Sequence, residues 1–244
     1  MTGAADDPRA FYTAGYSVAD PAAAERLGRW RALGARSKAA HAFDLCSRAE
    51  LFPTTLVEIG CGDGSLLAEL SGLAAVVDGF ELSPTAIELA RKRGIPGARR
   101  LEAYDGARVP AGDGAYDLAV LSHVLEHVPE PAPLLAEAKR VASHVLVEVP
   151  LEANRSAARP AKREEAARIG HLHAFDRAAV HALLAQTGLT PLAELSDPLS
   201  YEHHAFFGAK LPAAIKWAVR YALWRVAPRR AERLFTVHYA VLAR

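Results

Sequence analysis

Three glycines at alternate positions, Gly60, Gly62 and Gly64, follow the apolar run Thr55 to Ile59 and precede a helix-forming stretch from Ser65. A turn of this kind lets backbone approach a ligand closely, and the helix start beyond it favours negative charge. The dinucleotide spacing G-x-G-x-x-G requires its third glycine where Ser65 stands. Glu58, at the strand end, would repel a pyrophosphate, whereas a zwitterionic ligand with an ammonium group tolerates an acid there. The spacing therefore favours S-adenosylmethionine over NAD. Glu81 lies roughly twenty residues on, at the end of the next apolar run, where a carboxylate can accept both hydroxyls of a ribose.

The elements that must position these residues alternate along the chain. Strands are expected over Thr55–Ile59, Ala75–Phe80, Ala98–Leu101, Tyr116–Ser122 and His144–Val149, with helices over Ser65–Leu70, Pro84–Arg93 and Pro133–Val141 between them. Ser83 before Pro84 is a helix cap, and Gly94 a stop. Asp20 caps the first of the helices expected between Pro21 and Arg48, and Asp176 a helix to Thr187 that Gly188 ends. Two late strands, around Leu192 and over Leu234–Leu242, close the sheet, and Leu211–Val226 forms an amphipathic helix between them. Such alternation implies βαβ units on a mostly parallel sheet with helices on both faces. The expected fold is α/β, a Rossmann-like three-layer αβα sandwich with a seven-stranded sheet. Residues 1–50 form a helical extension or lid, and 51–244 the main domain with a substrate-side insertion around 151–230.

The motifs resemble those of class I methyltransferases, in the broad group that includes the ubiquinone and menaquinone methyltransferases. Val57-Glu58-Ile59-Gly60-Cys61-Gly62-Asp63-Gly64 resembles the first motif of that family. Glu81-Leu82-Ser83-Pro84 resembles the second, with Glu in place of the more usual Asp. Leu101–Pro110 resembles the third, Ala115–Val120 the fourth-strand motif, Leu121–Val128 the segment after it, and Gly170–Phe175 a later one. The similarity spans approximately Leu56 to Gly188 and is most specific in its first half. It implies that Glu58, Gly60, Cys61, Gly62, Gly64, Glu81, Leu82, Asp105, Gly106 and Ser122 surround the cofactor. Asp105 is then expected at the adenine amino group, and Gly106 or Ala107 at its ring nitrogen through backbone. The reaction implied is methyl transfer to O, N or C of a small molecule, read by the N-terminal helices and the segment after Pro150. A nicotinamide-dependent oxidoreductase and a catalytically silent cofactor-binding scaffold are the competing functions.

Displacement on a sulfonium needs no covalent nucleophile or metal, and a base only for a poorly acidic hydroxyl or a protonated amine. His123, after the fourth strand, is the candidate base. His127 fits a loop-organising role, and the His171–His173 pair fixes a loop or lines the acceptor site. No metal is expected, because no Cys or carboxylate motif accompanies that pair. His203 and His204 sit in an aromatic stretch that suits core packing, and Asp117 suits a structural role. Phe11, Tyr12 and Tyr16 could cover the cofactor, their faces suiting a sulfonium.

The net charge of +1 gives no electrostatic case for nucleic acid. Two cysteines, Cys46 and Cys61, form no disulfide framework and fit a reducing compartment. Met1 to Asp20 lacks a basic stretch followed by an apolar one, so no secretory signal is expected. The Ala- and Arg-rich composition suggests a bacterial, cytoplasmic protein, monomeric or homodimeric. Lys216, Arg220 and Arg225 beside the aromatics of 211–226 suit a core-facing or dimer-facing helix better than an interfacial membrane contact.

Overall fold

The computed structural model describes residues 7–244; the first six residues of the 1–50 extension lie outside them. The central sheet has strands β1 (Thr55–Ile59), β2 (Val76–Glu81), β3 (Ala98–Ala103), β4 (Tyr116–Ser122), β5 (Ala142–Pro150), β6 (Pro191–Asp197) and β7 (His238–Ala243). Their spatial order is β3-β2-β1-β4-β5-β7-β6. β1 to β5 pair in parallel, while β7 runs antiparallel between β5 and β6. The α/β expectation holds, and the strand order reverses between β1 and β4, where ligands of open parallel sheets bind.

Two apolar clusters cover the two sheet faces. One gathers Val57, Phe80, Leu121, Val147 and Tyr239 with α5 (Pro131–Val141) and α7 (Arg177–Gln186). The other gathers Leu56, Val77, Leu118 and Leu146 with α2 (Pro21–Arg48) and α3 (Ser65–Leu70). The period-two alternation within each strand produces this division. α4 (Pro84–Lys92) completes the second crossover. Capping follows the sequence: Asp20 accepts from the Ala22 amide, Ser83 from Ala86 and Asp176 from Ala179.

Several segments differ from the sequence reading. Pro21 to Arg48 is one continuous 28-residue helix. A further helix, α1 (Pro8–Tyr16), is capped by Asp7 and lies against α4. The region after Pro150 carries α6 (Pro160–Arg168), α8 (Tyr201–Ala205), α9 (Lys210–Val226) and α10 (Pro228–Leu234). Leu234 therefore ends a helix, and the last strand starts only at His238. Pro228 at the first helical position favours that helix over an extended chain. α9 is not simply core-facing: Ala213 is buried, but Leu211, Ile215, Val219 and Val226 are exposed. Among the described residues, no helix is long and apolar enough to cross a membrane.

Candidate active site

The glycine loop between β1 and α3 has left-handed backbone at all three predicted positions, with φ of +81°, +53° and +73° at Gly60, Gly62 and Gly64. Each also lacks room for a side chain. A Cβ would stand 2.5 Å from Val124 Cγ2 at Gly60, 2.3 Å from Tyr16 Oη at Gly62 and 2.7 Å from Ile95 Cδ1 at Gly64. Gly64 thus packs the helix layer, and Gly62 makes room for an aromatic of α1. Glu81 ties the loop to β2, accepting from the Gly62 amide on Oε2 and the Ser83 amide on Oε1, both at 3.0 Å. Burial raises its pKa, against those backbone donors.

A cavity of about 460 Å³ opens at the carboxyl ends of β1 and β4. Of the predicted residues, Glu58, Gly60, Cys61, Gly62, Ser122 and His123 line it, whereas Gly64, Glu81, Leu82, Asp105 and Gly106 do not. α1 lies over the second group. Arg9 donates to the Tyr104 carbonyl at 2.9 Å and Thr13 to Ser83 Oγ at 3.2 Å. Asp105 is exposed, its Oδ1 accepting from the Ala107 and Arg108 amides at 2.8 and 2.9 Å. Those bonds hold its carboxyl below the usual range. Leu82 and Gly106 adjoin one another, a Cβ on Gly106 falling 3.4 Å from Leu82 Cδ1.

The cavity wall holds polar atoms without partners. Glu58 Oε2, Ser122 Oγ and His123 Nε2 are buried and make no hydrogen bond. Burial pushes the Glu58 carboxyl well above its ordinary range; Lys38 opposes this, while Asp63 and Glu81 add to it. Lys38 and Arg31, both on α2, line the cavity as well. Arg31 lies over the Tyr16 ring at 4.3 Å, covering one face of an aromatic expected to meet a sulfonium.

His123 has the left-handed φ of +56°, which is strained for a side-chain-bearing residue. Its Nδ1 stands 3.2 Å from Glu126 Oε1 and its Nε2 3.8 Å from Glu148 Oε1. Burial would raise the Glu126 carboxyl, but His123 and His127 outweigh it and hold it at about 2. Glu148, wholly buried, also meets His238 Nδ1 at 3.1 Å and His41 Nδ1 at 3.2 Å, and His41 Nε2 lies 3.2 Å from Asp197. These imidazoles hold Glu148 far below the carboxylate range despite burial.

Donor atoms of His123, Glu148 and His238 fall within 4.8 Å of one another, as do those of Glu126, His127 and His171. Hydrogen bonds within the chain already account for most of them. His127 donates to the Gly170 carbonyl at 3.1 Å, and His171 pairs with Glu152 at 2.7 Å. His173 donates to the Val128 carbonyl at 2.9 Å. These histidines pin the 170–173 segment beneath the β4 turn, the loop-organising role expected of them. His171 and His203 also line the cavity.

Sequence reasoning missed His41, Glu148, His238, Arg31 and Lys38. The helical spacing of Arg31, Ala35 and Lys38 and the lone acid inside the apolar run of β5 were the available signals.

Residues 24–194 match the family model described as a methyltransferase domain. A ubiquinone biosynthesis O-methyltransferase of Thiobacillus denitrificans is 32% identical over 100 residues, covering 39% of this chain and 42% of that relative. Its counterpart from Burkholderia multivorans is 33% identical over 93 residues, 37% of this chain and 40% of the relative. The chain thus spans less than half the length of these curated relatives. Among solved structures, the geranyl diphosphate C-methyltransferase of Streptomyces coelicolor, in complex with Mg2+, geranyl diphosphate and S-adenosylhomocysteine, overlays with a TM-score of 0.61. It is 17% identical, covering 85% of this chain and 79% of that one. A putative sarcosine dimethylglycine methyltransferase from Galdieria sulphuraria also gives 0.61 at 15% identity, covering 86% and 85%. At such identities the likeness is one of fold.

Proposed function

The chain belongs to the methyltransferase-domain family, and from that premise we propose that it transfers a methyl group from S-adenosylmethionine to a small-molecule acceptor. The observation that carries this reading is the convergence of Glu58 Oε2, Ser122 Oγ and His123 Nε2, all buried and unpartnered, on the cavity beside the glycine loop. Buried polar atoms without partners are costly, so a ligand's own polar groups are what such a wall fits.

The residues present fit the cofactor. Glu58 would take its ammonium, which relieves the raised carboxyl of that residue. Glu81 is fixed by two amides but keeps lone pairs for ribose hydroxyls. Asp105 and Gly106 would meet the adenine, beneath a lid formed by α1. When bound, S-adenosylmethionine supplies a sulfonium methyl group already activated for displacement. The work left to the chain is to orient the acceptor and exclude water. His123 stands at the cavity with its Nδ1 3.2 Å from Glu126 Oε1, which orients the ring, and its unpartnered Nε2 would take a proton from an acceptor hydroxyl or ammonium.

We place the protein in the bacterial cytoplasm, a reading supported by two free, buried cysteines. The test of function is conversion of S-adenosylmethionine to S-adenosylhomocysteine with a panel of small acceptors, each scored for the mass of one added methyl. Turnover that His123→Ala reduces at least about tenfold is expected with a hydroxyl acceptor. Cofactor binding with no turnover on any acceptor would favour the silent scaffold.

A further inference from the structure

The outer face of α9 reverses the usual pattern of a surface helix. Its inner side meets the body through Ala213, Leu223 and Trp224, whose indole donates to Ser196 Oγ at 3.0 Å. Its outer side carries Leu211, Ile215, Ala218, Val219, Ala222 and Val226, within about 100° of arc. Leu211 is 73% exposed, Ile215 60%, Val219 63% and Val226 81%. A solvated helix would place charges there.

Charge surrounds this stripe instead. From His203 to Ala231 the chain has six cations (Lys210, Lys216, Arg220, Arg225, Arg229 and Arg230) and no acidic residue, against a net charge of +1 for all 244 residues. A cleft of about 520 Å³ opens beside the stripe, with Ile215 and Val219 on its wall and Arg155, Arg159, Lys216 and Arg220 around it. An apolar wall ringed by cations matches an acyl chain beneath an anionic headgroup.

We infer that the outer face of α9 docks the protein on the surface of a bilayer containing anionic phospholipid. The apolar stripe enters the headgroup boundary, and the flanking cations meet lipid phosphates. The helix lies on the bilayer: it does not meet the requirements for crossing one. A second copy of the chain is the poorer occupant. A two-fold dimer sets the same patch against itself, and here that opposes cations to cations. α9 is joined to the candidate active site from its inner side, where Arg220 donates to the carbonyl of Thr236, which lines that cavity.

Flotation of the full chain with vesicles tests the inference, using equimolar phosphatidylcholine and phosphatidylglycerol against phosphatidylcholine alone. The protein is expected to float with the anionic vesicles and far less with the neutral ones, with binding falling as salt rises. Ile215→Asp with Val219→Asp, at exposed positions, should lower partitioning at least about tenfold while melting temperature and helicity stay unchanged. Lys216→Glu with Arg225→Glu should do the same by removing the electrostatic attraction. The inference is overturned by failure to float with anionic vesicles, or by undiminished flotation of both double variants. It is equally overturned by a dimer that the apolar double variant dissociates while vesicles are not bound.

Discussion

Gly62 answers three demands at once: a left-handed backbone, an amide given to Glu81, and space for the Tyr16 hydroxyl. Gly62→Ala should cost about 1–2 kcal/mol in backbone strain and push α1 off the loop. Its fall in melting temperature, with loss of Tyr16 burial seen by fluorescence quenching, is the check; an unchanged melt contradicts the account. Glu81→Ala should weaken S-adenosylmethionine binding by roughly 1.5–3 kcal/mol, because it removes the proposed ribose acceptor and frees the loop. Unchanged affinity in a folded variant would remove Glu81 from the site. His41 makes a pH prediction. Burial alone would lower its pKa, but Asp197 and Glu148 raise it to about 9. Because the folded value lies above the unfolded one, the stabilisation is complete below about pH 6.5 and is lost as pH rises through about 9. The full effect is on the order of 3 kcal/mol. Melting temperature should fall over that interval, and His41→Gln should flatten the fall; parallel curves would refute it.

At the scale of elements, local pattern sets the bounds of the buried strands. β1 and β4 begin and end at the predicted residues, because an apolar run between polar or glycine brackets fixes a buried strand. Asp117 has the expected structural role, its Oδ2 accepting from the Thr54 and Thr55 amides at 2.8 and 2.9 Å. Asp117→Ala should destabilise the chain by about 1–3 kcal/mol, measured by urea unfolding, with cofactor affinity unaltered; lost affinity at full stability would assign it to the site instead. What local pattern could not show was docking. The sequence contains Tyr12 and Tyr16 but does not show their place near the Glu81 carboxyl, since nothing within the nine residues of α1 encodes the surface beneath. If α1 is a lid, Tyr12→Ala with Tyr16→Ala should speed cofactor dissociation several-fold in stopped flow, and an unchanged rate would make α1 a mere packing element. β7 starts at His238 and not at Leu234: Leu234, Phe235 and Val237 have strand-like character, but Pro228 starts a helix that claims the first of them.

For the whole molecule, the alternation of elements implies a mostly parallel sheet with helices on both faces, but the reversal of strand order between β1 and β4 is a property of the fold. So is the polar network behind His123. His41 and Glu148 are 107 residues apart and Glu148 and His238 are 90 apart; His238 meets Glu148 because β7 runs antiparallel beside β5, and His41 because α2 packs across that part of the sheet. Adenosylmethionine and NAD share this architecture, and the proposed preference for adenosylmethionine rests on Glu58, Ser65 and the cavity wall. The most direct measurement is a calorimetric titration of the full chain with S-adenosylmethionine and, separately, with NAD. Saturable binding of S-adenosylmethionine at one site, with no heat from NAD, is the predicted result; tight binding of NAD with none of S-adenosylmethionine would contradict the account.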